Sequence, residues 1–328
     1  IQTGSLTGFK SQLVNVECEL TNGLPSIVVV GLPSKSVDEA KERIRSALQN
    51  SKLTIPKKRI TLNLAPADIP KNGSSFDLPL AMAMLARSAQ VKINTQDFLF
   101  VGELSLTGSL RPIRGALAHA QLAKEMGIKY LVLPSDNSTE ASLVDGITII
   151  GTNSLTDLID TLTESKLSAE RTRVTTYDIN KHPRYDPSID FAHVRGQEQA
   201  KRAMQIVAAG GHNILLAGPP GTGKSMLAKA LPTIMPKMDR DEIIEVTSLH
   251  SIAGISTGSI VNERPIRAPH HTASYVSVIG GGRTPQPGEI SLSHRGVLFL
   301  DELPEYPRQV LETLRQPMED HEITVSRA

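Results

Sequence analysis

The sequence is poor in the residues on which several classes of protein depend. It has one cysteine, Cys18, no tryptophan, and only 5 tyrosines and 6 phenylalanines among 328 residues. A single cysteine excludes a disulfide partner or a cysteine zinc site within one chain, which fits a reducing cytoplasm. We expect Cys18 to be a small packed residue on an early strand. The scarcity of aromatic rings argues against a base-stacking platform for nucleic acid.

Long apolar runs and a surplus of one charge are also absent. No stretch approaches roughly 18 apolar residues, so no membrane span is predicted, and no signal peptide is visible. Lys plus Arg number 35 and Asp plus Glu 34. This balance argues against a strongly basic nucleic-acid binder, but leaves open a local basic patch or basic residues gathered by oligomerisation. We therefore expect a cytoplasmic protein without a membrane partner.

The apolar content, 39% of 328 residues, suffices for two full-sized cores, since a domain takes about 100–200 residues. Ser36 and Glu39 form a capping-box pattern for the first predicted helix. Strands and helices mix without one βαβ repeat, so the first half is predicted to be α+β. Hydrophobic periodicity places its main elements at residues 11–31, 37–49, 59–64, 78–89, 98–113 and 116–126.

A polar, Pro-containing stretch from Lys166 to about Asp190 is the linker candidate. After it, a helix is predicted over Gln197–Ala209 and a short apolar strand over Asn213–Ala217. A glycine-rich turn and another helix, to about Met235, follow. A strand, a loop and a helix in this order are what a phosphate-binding loop needs.

Residues 218–225 read GPPGTGKS and match the full G-x-x-x-x-G-K-[ST] pattern. The glycines allow a tight turn that aims backbone N–H groups at an anion, and the next helix presents its positive N-terminal end. Lys224 is predicted to reach the β- and γ-phosphates of ATP, and Ser225 to ligate Mg²⁺. The predicted nucleotide-binding residues here are Gly218, Pro219, Pro220, Gly221, Thr222, Gly223, Lys224, Ser225 and Met226.

A second element agrees with this loop. Gly296–Glu302 reads GVLFLDE, an apolar strand that ends in two carboxylates. Asp301 is predicted to hold Mg²⁺ through water, and Glu302 to orient and polarise the water that attacks the γ-phosphate. With Lys224, Glu302 is the predicted catalytic group.

Longer segments carry a family resemblance. VRGQEQAKRAMQIVAAGGHNILLAGPPGTGKSMLAKALP, RAPHHTAS, PGEISLSHRGVLFLDELPEY and VLETLRQPMED resemble the magnesium-chelatase-like branch of the AAA+ ATPases. NGLPSIVVVGLPSKSVDEAKERIRSALQNS and KNGSSFDLPLAMAML resemble the Lon-protease-like domain that precedes the ATPase core in the ComM/YifB family. The resemblance implies an α/β chain: an α+β Lon-like domain at 1–168, a linker at 169–190, and part of a P-loop AAA+ core at 191–328.

The same resemblance implies a cytoplasmic homo-oligomer, a hexamer, that uses ATP and Mg²⁺ and acts on DNA in branch migration during natural transformation. It places the adenine near His193, Val194 and Gly196. It also marks Thr272–Pro287 as an insertion in the ATPase core, a glycine-rich loop that faces a central pore or lies on the surface. Arg283 in this loop is the candidate DNA contact.

Two further patterns invite chemistry that we do not predict. His270 and His271 are adjacent, and two adjacent side chains rarely face one metal, so packing or an interface is expected. Ser75 occupies the position of the Lon-type nucleophile, but Leu117 stands where the lysine base belongs, and Lys124 lies two helical turns away. The Lon-like half is therefore expected to be non-proteolytic, with Ser74 and Ser75 as turn or helix-cap residues.

The expected sensor residue and the arginine that contacts a neighbouring subunit's nucleotide are not found before Ala328. We therefore expect this chain by itself to bind ATP but to hydrolyse it poorly. Three functions remain open: a DNA-remodelling motor, a magnesium-chelatase-type metal-insertion ATPase, and an ATP-dependent protease.

Overall fold

The structure is a computed structural model that describes residues 1–92, 94–163, 189–282 and 285–324. The chain divides into two compact units. The first comprises Ile1–Tyr177 and Gly254–Ile260, and the second Asp178–Ala253 and Val261–Ala328. The predicted linker falls almost entirely outside the described residues. Within the described part, every helix is too short or too polar to cross a bilayer.

The first unit is built on a seven-stranded sheet with a small hairpin beside it. The sheet has the order β3-β4-β2-β1-β5-β8-β9, and the hairpin pairs β6 with β7. The strands are β1 (Gln2–Thr7), β2 (Lys10–Thr21), β3 (Ser26–Val30), β4 (Arg59–Ala65), β5 (Phe98–Phe100), β6 (Glu103–Leu104), β7 (Leu110–Arg111), β8 (Tyr130–Pro134) and β9 (Thr148–Thr152).

Parallel pairings dominate this sheet. Only β1–β2 and β2–β4 are antiparallel, whereas β3–β4, β1–β5, β5–β8 and β8–β9 are parallel. The chain turns from β2 into β3, but the two strands do not pair, because β4 lies between them and bonds both. The prediction of a mixed α/β fold is confirmed.

The described residues of this unit form five α-helices: α1 (Lys35–Asn50), α2 (Asp77–Arg87), α3 (Ala116–Glu125), α4 (Ser138–Ala141) and α5 (Leu155–Thr163). The predicted capping box is wrong. Helix α1 begins two residues earlier than predicted, after Ser34, and the Ser34 hydroxyl contacts the Ser36 hydroxyl at 2.9 Å instead of a helix N–H. The buried face of α1 follows the predicted helical spacing, with Ala40, Ile44 and Leu48 in the core.

The second unit is mainly helical with short strands: α6 (Glu198–Gly210), α7 (Lys224–Ala230), α8 (Arg240–Ala253), β10 (Ile266–Arg267), α9 (Tyr275–Ile279), β11 (Gly280–Gly281), β12 (Gln286–Pro287), α10 (Glu289–Leu292), β13 (Val297–Leu298), α11 (Arg308–Thr313) and α12 (Arg315–Glu319). Strands β10 and β13 are parallel neighbours, and β11 pairs with β12. One core cluster joins α6, α7 and the segment before α6.

The predicted strand at Asn213–Ala217 is not a strand in the structure. Among the described residues, no neighbouring segment pairs with it in a ladder, and Leu215 is 75% exposed. A strand needs a partner for its backbone groups, so apolar character alone does not make this segment a strand.

A histidine lies fully buried in the first unit. His119 on α3 is 0% exposed, and its Nδ1 lies 2.8 Å from the Ser11 hydroxyl on β2. Its Nε2 has no partner among the described residues. Burial lowers the pKa of His119 to about 4, because the charged ring would lose its hydration. The folded unit therefore holds this ring neutral where an unfolded chain would protonate it.

This burial predicts a pH dependence of stability. Below about pH 6.5 the unfolded chain binds a proton at His119, whereas the folded chain binds it only below about pH 4. The free energy of unfolding therefore decreases by about 3 kcal/mol as the pH falls from 6.5 to 4. Urea unfolding followed by circular dichroism at several pH values measures this loss. The variant His119→Gln should show a correspondingly shallower decline between pH 6.5 and 4. Identical pH profiles for the two proteins would contradict the assignment.

Candidate functional site

The loop at 218–224 has the backbone of an anion cradle. Gly221 and Gly223 adopt φ values of +80° and +86°, which only glycine takes readily, and the turn into α7 depends on them. None of the backbone N–H groups from Gly221 to Lys224 donates a hydrogen bond to a described residue. Unpaired N–H groups grouped in one turn are suited to receive phosphate oxygens.

Two side chains fold back on this loop. The Lys224 ammonium donates to the carbonyls of Gly218 and Pro219, each at 2.9 Å. The Thr222 hydroxyl also donates to the Pro219 carbonyl, at 3.0 Å. Lys224 is half-buried, and the described partners of its ammonium are these loop carbonyls, for which an incoming phosphate can exchange. Pro220 completes the turn, and the half-exposed Met226 lies beside it, with Cε 3.6 Å from the position of a Cβ on Gly223.

The two predicted halves of the site meet at one contact. The Ser225 hydroxyl at the start of α7 donates to Asp301 Oδ2 at 3.0 Å. Asp301 follows β13, which lies parallel to β10, and the Phe299 N–H continues the pairing to the Arg267 carbonyl at 2.8 Å. The strand is shorter than predicted, but it delivers the carboxylate to the phosphate loop.

These residues fit a magnesium nucleotide. A hydroxyl and a carboxylate within hydrogen-bond distance are the hard oxygen donors that Mg²⁺ prefers, and Mg²⁺ keeps several of its waters. The free N–H groups and the Lys224 ammonium supply positive potential for phosphates. A Cβ built on Gly221 meets nothing within 4 Å, so the loop faces open space.

Glu302 stands in an unusual backbone conformation beside Asp301. Its φ is +54°, and its N–H donates to Asp301 Oδ1 at 3.1 Å. A non-glycine residue in this left-handed region is held there by its surroundings. One carboxylate oxygen lies 3.3 Å from His271 Nδ1. The carboxylate itself is largely exposed, which leaves room for a water molecule.

The structure gives His271 a partner that the sequence did not suggest. The rings of His270 and His271 are 4.1 Å apart, and Tyr306 meets His271 edge-on at 6.4 Å. The Tyr306 hydroxyl donates to the Pro269 carbonyl, and burial raises the pKa of Tyr306, so it stays a neutral donor. Within the described residues there is no group of three or more metal-binding side chains. The adjacency of the two histidines in the sequence did not predict the contact of His271 with Glu302.

The segment predicted to pass the adenine lies beside the phosphate loop. Val194 is buried in the same core cluster as Leu227 of α7, whereas His193 is exposed. Gly196 has a φ of +65°, and the next residue, Gln197, donates its side-chain amide to the Thr222 carbonyl at 3.3 Å. The contact of these residues with a nucleotide stays a prediction.

Within the predicted insertion, Tyr275–Ile279 form a helix and Gly280–Gly281 pair with Gln286–Pro287. The segment is thus more ordered than a plain glycine-rich loop. Arg283, the candidate DNA contact, lies outside the described residues. Its role stays a prediction.

Ser75 occupies the position of the Lon-type nucleophile, and among the described residues no lysine is available to it as a base. Leu117 is fully buried in α3, and its N–H donates to Glu140. Lys71, four residues before Ser75, is also fully buried, and its ammonium donates to the Pro66 carbonyl. Desolvation lowers the pKa of Lys71. The Ser74 hydroxyl donates to Glu103. No described contact joins a lysine to Ser75.

Comparisons with known proteins cover both units. A family model described as magnesium chelatase, subunit ChlI, matches residues 190–328. A second, described as subunit ChlI of Mg-chelatase, matches residues 16–137. Parts of the chain are also similar to Lon proteases, with 27% identity to that of Leptospira interrogans over 37% of this chain and 15% of the relative.

Two relatives match almost the whole chain. Competence protein ComM of Haemophilus influenzae is 45% identical over 98% of this chain, and YifB of Escherichia coli is 43% identical over 100%. The chain covers 63% and 64% of their respective lengths. Together with the two family models, these similarities show that the chain belongs to the ComM/YifB family of magnesium-chelatase-like AAA+ proteins.

Proposed function

We propose that this protein binds ATP with Mg²⁺ and hydrolyses it to drive work on DNA. The observation that carries the ATPase proposal is the 3.0 Å contact between Ser225 and Asp301. It joins the end of the phosphate loop to the acidic strand end, and the loop's unpaired N–H groups lie next to it.

The residues divide the chemistry among them. Lys224 and the loop N–H groups hold the phosphates and neutralise their charge. Ser225 would hold Mg²⁺ together with Asp301, the latter through water, and the bound ion would supply positive charge that offsets the charge of the phosphates. Glu302 orients the attacking water and accepts hydrogen bonds from it. His271 holds the Glu302 carboxylate in place, so we assign it a positioning role.

DNA is proposed as the object of this work. The support is the similarity to a protein named for competence over 98% of the chain, together with the family's resemblance to ring-forming ATPases. We propose a hexamer that moves DNA strands in branch migration, as a helicase, during natural transformation. A cytoplasmic setting agrees with the lone thiol Cys18, whose pKa burial raises to about 11, so it stays protonated and unreactive at neutral pH.

A metal-insertion ATPase is the second candidate, because both matching family descriptions name a magnesium chelatase subunit. The Lon-like similarity of part of the chain raises a third, an ATP-dependent protease. The buried Leu117 and the engaged Lys71 argue against it, since a serine without a base is a weak nucleophile. Casein cleavage that disappears in Ser75→Ala would restore the protease candidate.

The nucleotide site predicts opposite behaviour for two variants. Lys224→Ala should weaken ATP binding roughly 10- to 150-fold, because a charge-assisted contact contributes about 1.5–3 kcal/mol. Glu302→Gln should bind ATP normally but lose about 10²–10⁴-fold in turnover, the usual contribution of a general base. Calorimetry with Mg-ATP and a phosphate-release assay separate these effects. Normal binding by the first variant or normal turnover by the second would refute that residue's role.

The contact between His271 and Glu302 predicts a third effect. His271→Ala should lower kcat about tenfold and leave KM unchanged, because only the carboxylate's orientation is lost. His271→Asn, which keeps a hydrogen-bond donor, should recover part of the rate. The matched control is His270→Ala, since Nδ1 of His270 contacts Thr272 at 2.8 Å and not Glu302. Equal losses in both alanine variants, or a change in KM alone, would remove the positioning role.

DNA dependence tests the proposed substrate. The intact protein should hydrolyse ATP faster when DNA is present, and Glu302→Gln, which lacks turnover, is the background control. ATP hydrolysis that is insensitive to DNA, in a protein that binds no DNA at low salt, would exclude the motor and favour the metal-insertion candidate.

A further inference from the structure

The basic residues of this chain are unevenly distributed, although its net charge is only +1. Between residues 43 and 61 there is no acidic residue, while six basic residues occur there. This segment runs from the second half of α1 into β4, at the β3–β4 edge of the first unit's sheet. The six residues are Arg43, Arg45, Lys52, Lys57, Lys58 and Arg59.

Three of these cations line one cleft, which we call the basic cleft. It has a volume of about 280 Å³, with Arg45, Lys57 and Lys58 around it. Its apolar wall includes Ile27 and Ile60 from β3 and β4. Its described lining residues include no aromatic ring and no carboxylate. A cleft of this kind offers positive charge and a smooth apolar wall, but nothing on which a base can stack.

Among the residues that the structure describes, the cations of the cleft have no ion-pair partner. Arg45, Lys57 and Lys58 are exposed, and none of them forms an ion pair with a described residue. Arg43 differs, because its guanidinium binds both oxygens of the buried Asp77, at 2.7 and 2.9 Å. Unneutralised like charges in one place raise the local potential, and an anion that binds there is attracted by all of them.

The adjacent strand adds donors to this surface. Within the described parts of the chain, strand β3 is outermost in the sheet and pairs with β4 alone, so its other edge carries no ladder bonds there. Ser26 and Ile27, at its start, line the cleft. Backbone N–H groups and a hydroxyl beside lysine and arginine are the groups that contact phosphates in nucleic-acid complexes.

We propose that the basic cleft binds the phosphodiester backbone of DNA, independently of base sequence. This gives the first unit a binding role of its own, on a surface that contains none of the nucleotide-site residues. The choice of DNA over an acidic polypeptide rests on the proposed function. The absence of aromatic rings assigns the affinity to charge, so binding should weaken steeply with salt.

A charge-reversal pair and a matched control test this inference. Lys57→Glu/Lys58→Glu changes the cleft, and Lys10→Glu/Lys124→Glu makes the same charge change elsewhere. Lys10 is the first residue of β2. The other end of β2, which pairs with Arg59, lies about 36 Å from Lys10 at 3.3 Å per residue. Lys124 lies on α3 shortly before β8, and three strands separate β8 from β4. Both control lysines are exposed, and neither forms an ion pair with a described residue.

Fluorescence anisotropy of a labelled single-stranded 30-mer, without nucleotide and over a salt series, is the measurement. At low salt, the cleft variant of the intact protein should bind DNA about tenfold more weakly than the unaltered protein. Its salt slope should fall by about 1.4, the value for two lost phosphate contacts on a single strand. The control variant should bind like the unaltered protein, and both should keep normal ATP affinity.

Four outcomes would overturn the inference. Equal losses in the two variants would reduce it to general electrostatics. DNA binding that survives in the cleft variant would place the contact elsewhere and leave the proposed function standing. Failure of the unaltered protein to bind DNA would remove both. If poly-glutamate displaced the 30-mer as effectively as unlabelled DNA of equal charge does, the cleft would be assigned to acidic polypeptides.

Discussion

The hydroxyl of Ser225 and the carboxylate of Asp301 lie 3.0 Å apart although 76 positions separate them in the chain. Neither residue has a metal-binding function alone, so the nucleotide site depends on the packing that brings them together. A cluster around Val278, Tyr306 and Val310 surrounds the end of the acidic strand. The bidentate bond of Arg267 with Glu289, at 2.6 and 2.8 Å, ties that strand's neighbour to α10.

In the first unit, polar groups close to Ser75 in the chain are engaged in contacts within the fold. Arg43 forms an ion pair with Asp77, which also accepts the N–H of Leu104 at 3.1 Å, and the fully buried Leu117 stands where the lysine base is expected. The exposed cations at the β3–β4 edge are the part of this unit that we propose for binding.

Local patterns in the sequence predicted well what depends on neighbours in the chain. The phosphate loop was readable because its glycines, Lys224 and Ser225 act within eight residues, and the apolar face of α1 follows helical spacing. Long-range partners were not readable. The segment at 213–217 is apolar enough for a strand but has no ladder partner among the described residues. One local pattern also failed: the helix begins after Ser34, so Ser36 lies inside it and is not its cap.

Two features of function were hidden for the same reason. The proposed positioning role of His271 depends on Glu302, which the fold brings within 3.3 Å of it. The adjacency of His271 to His270 in the sequence did not predict this contact. The balanced composition concealed the basic cleft, because net charge sums over the chain and says nothing about where cations gather. Parallel pairing of β3 with β4 puts Ile27 beside Ile60, at the wall of that cleft.

The central claim is that Ser225 and Asp301 hold a divalent ion together with a nucleotide. Electron paramagnetic resonance of Mn²⁺, used in place of Mg²⁺, measures this directly as the loss of the free-ion signal. Each chain of the intact protein should take up one Mn²⁺ at a site that requires ATP, and Asp301→Asn should weaken that uptake while Asp320→Asn, on an exposed residue elsewhere in the second unit, should not. Equal Mn²⁺ uptake by the two variants, or uptake unaffected by ATP, would contradict the claim.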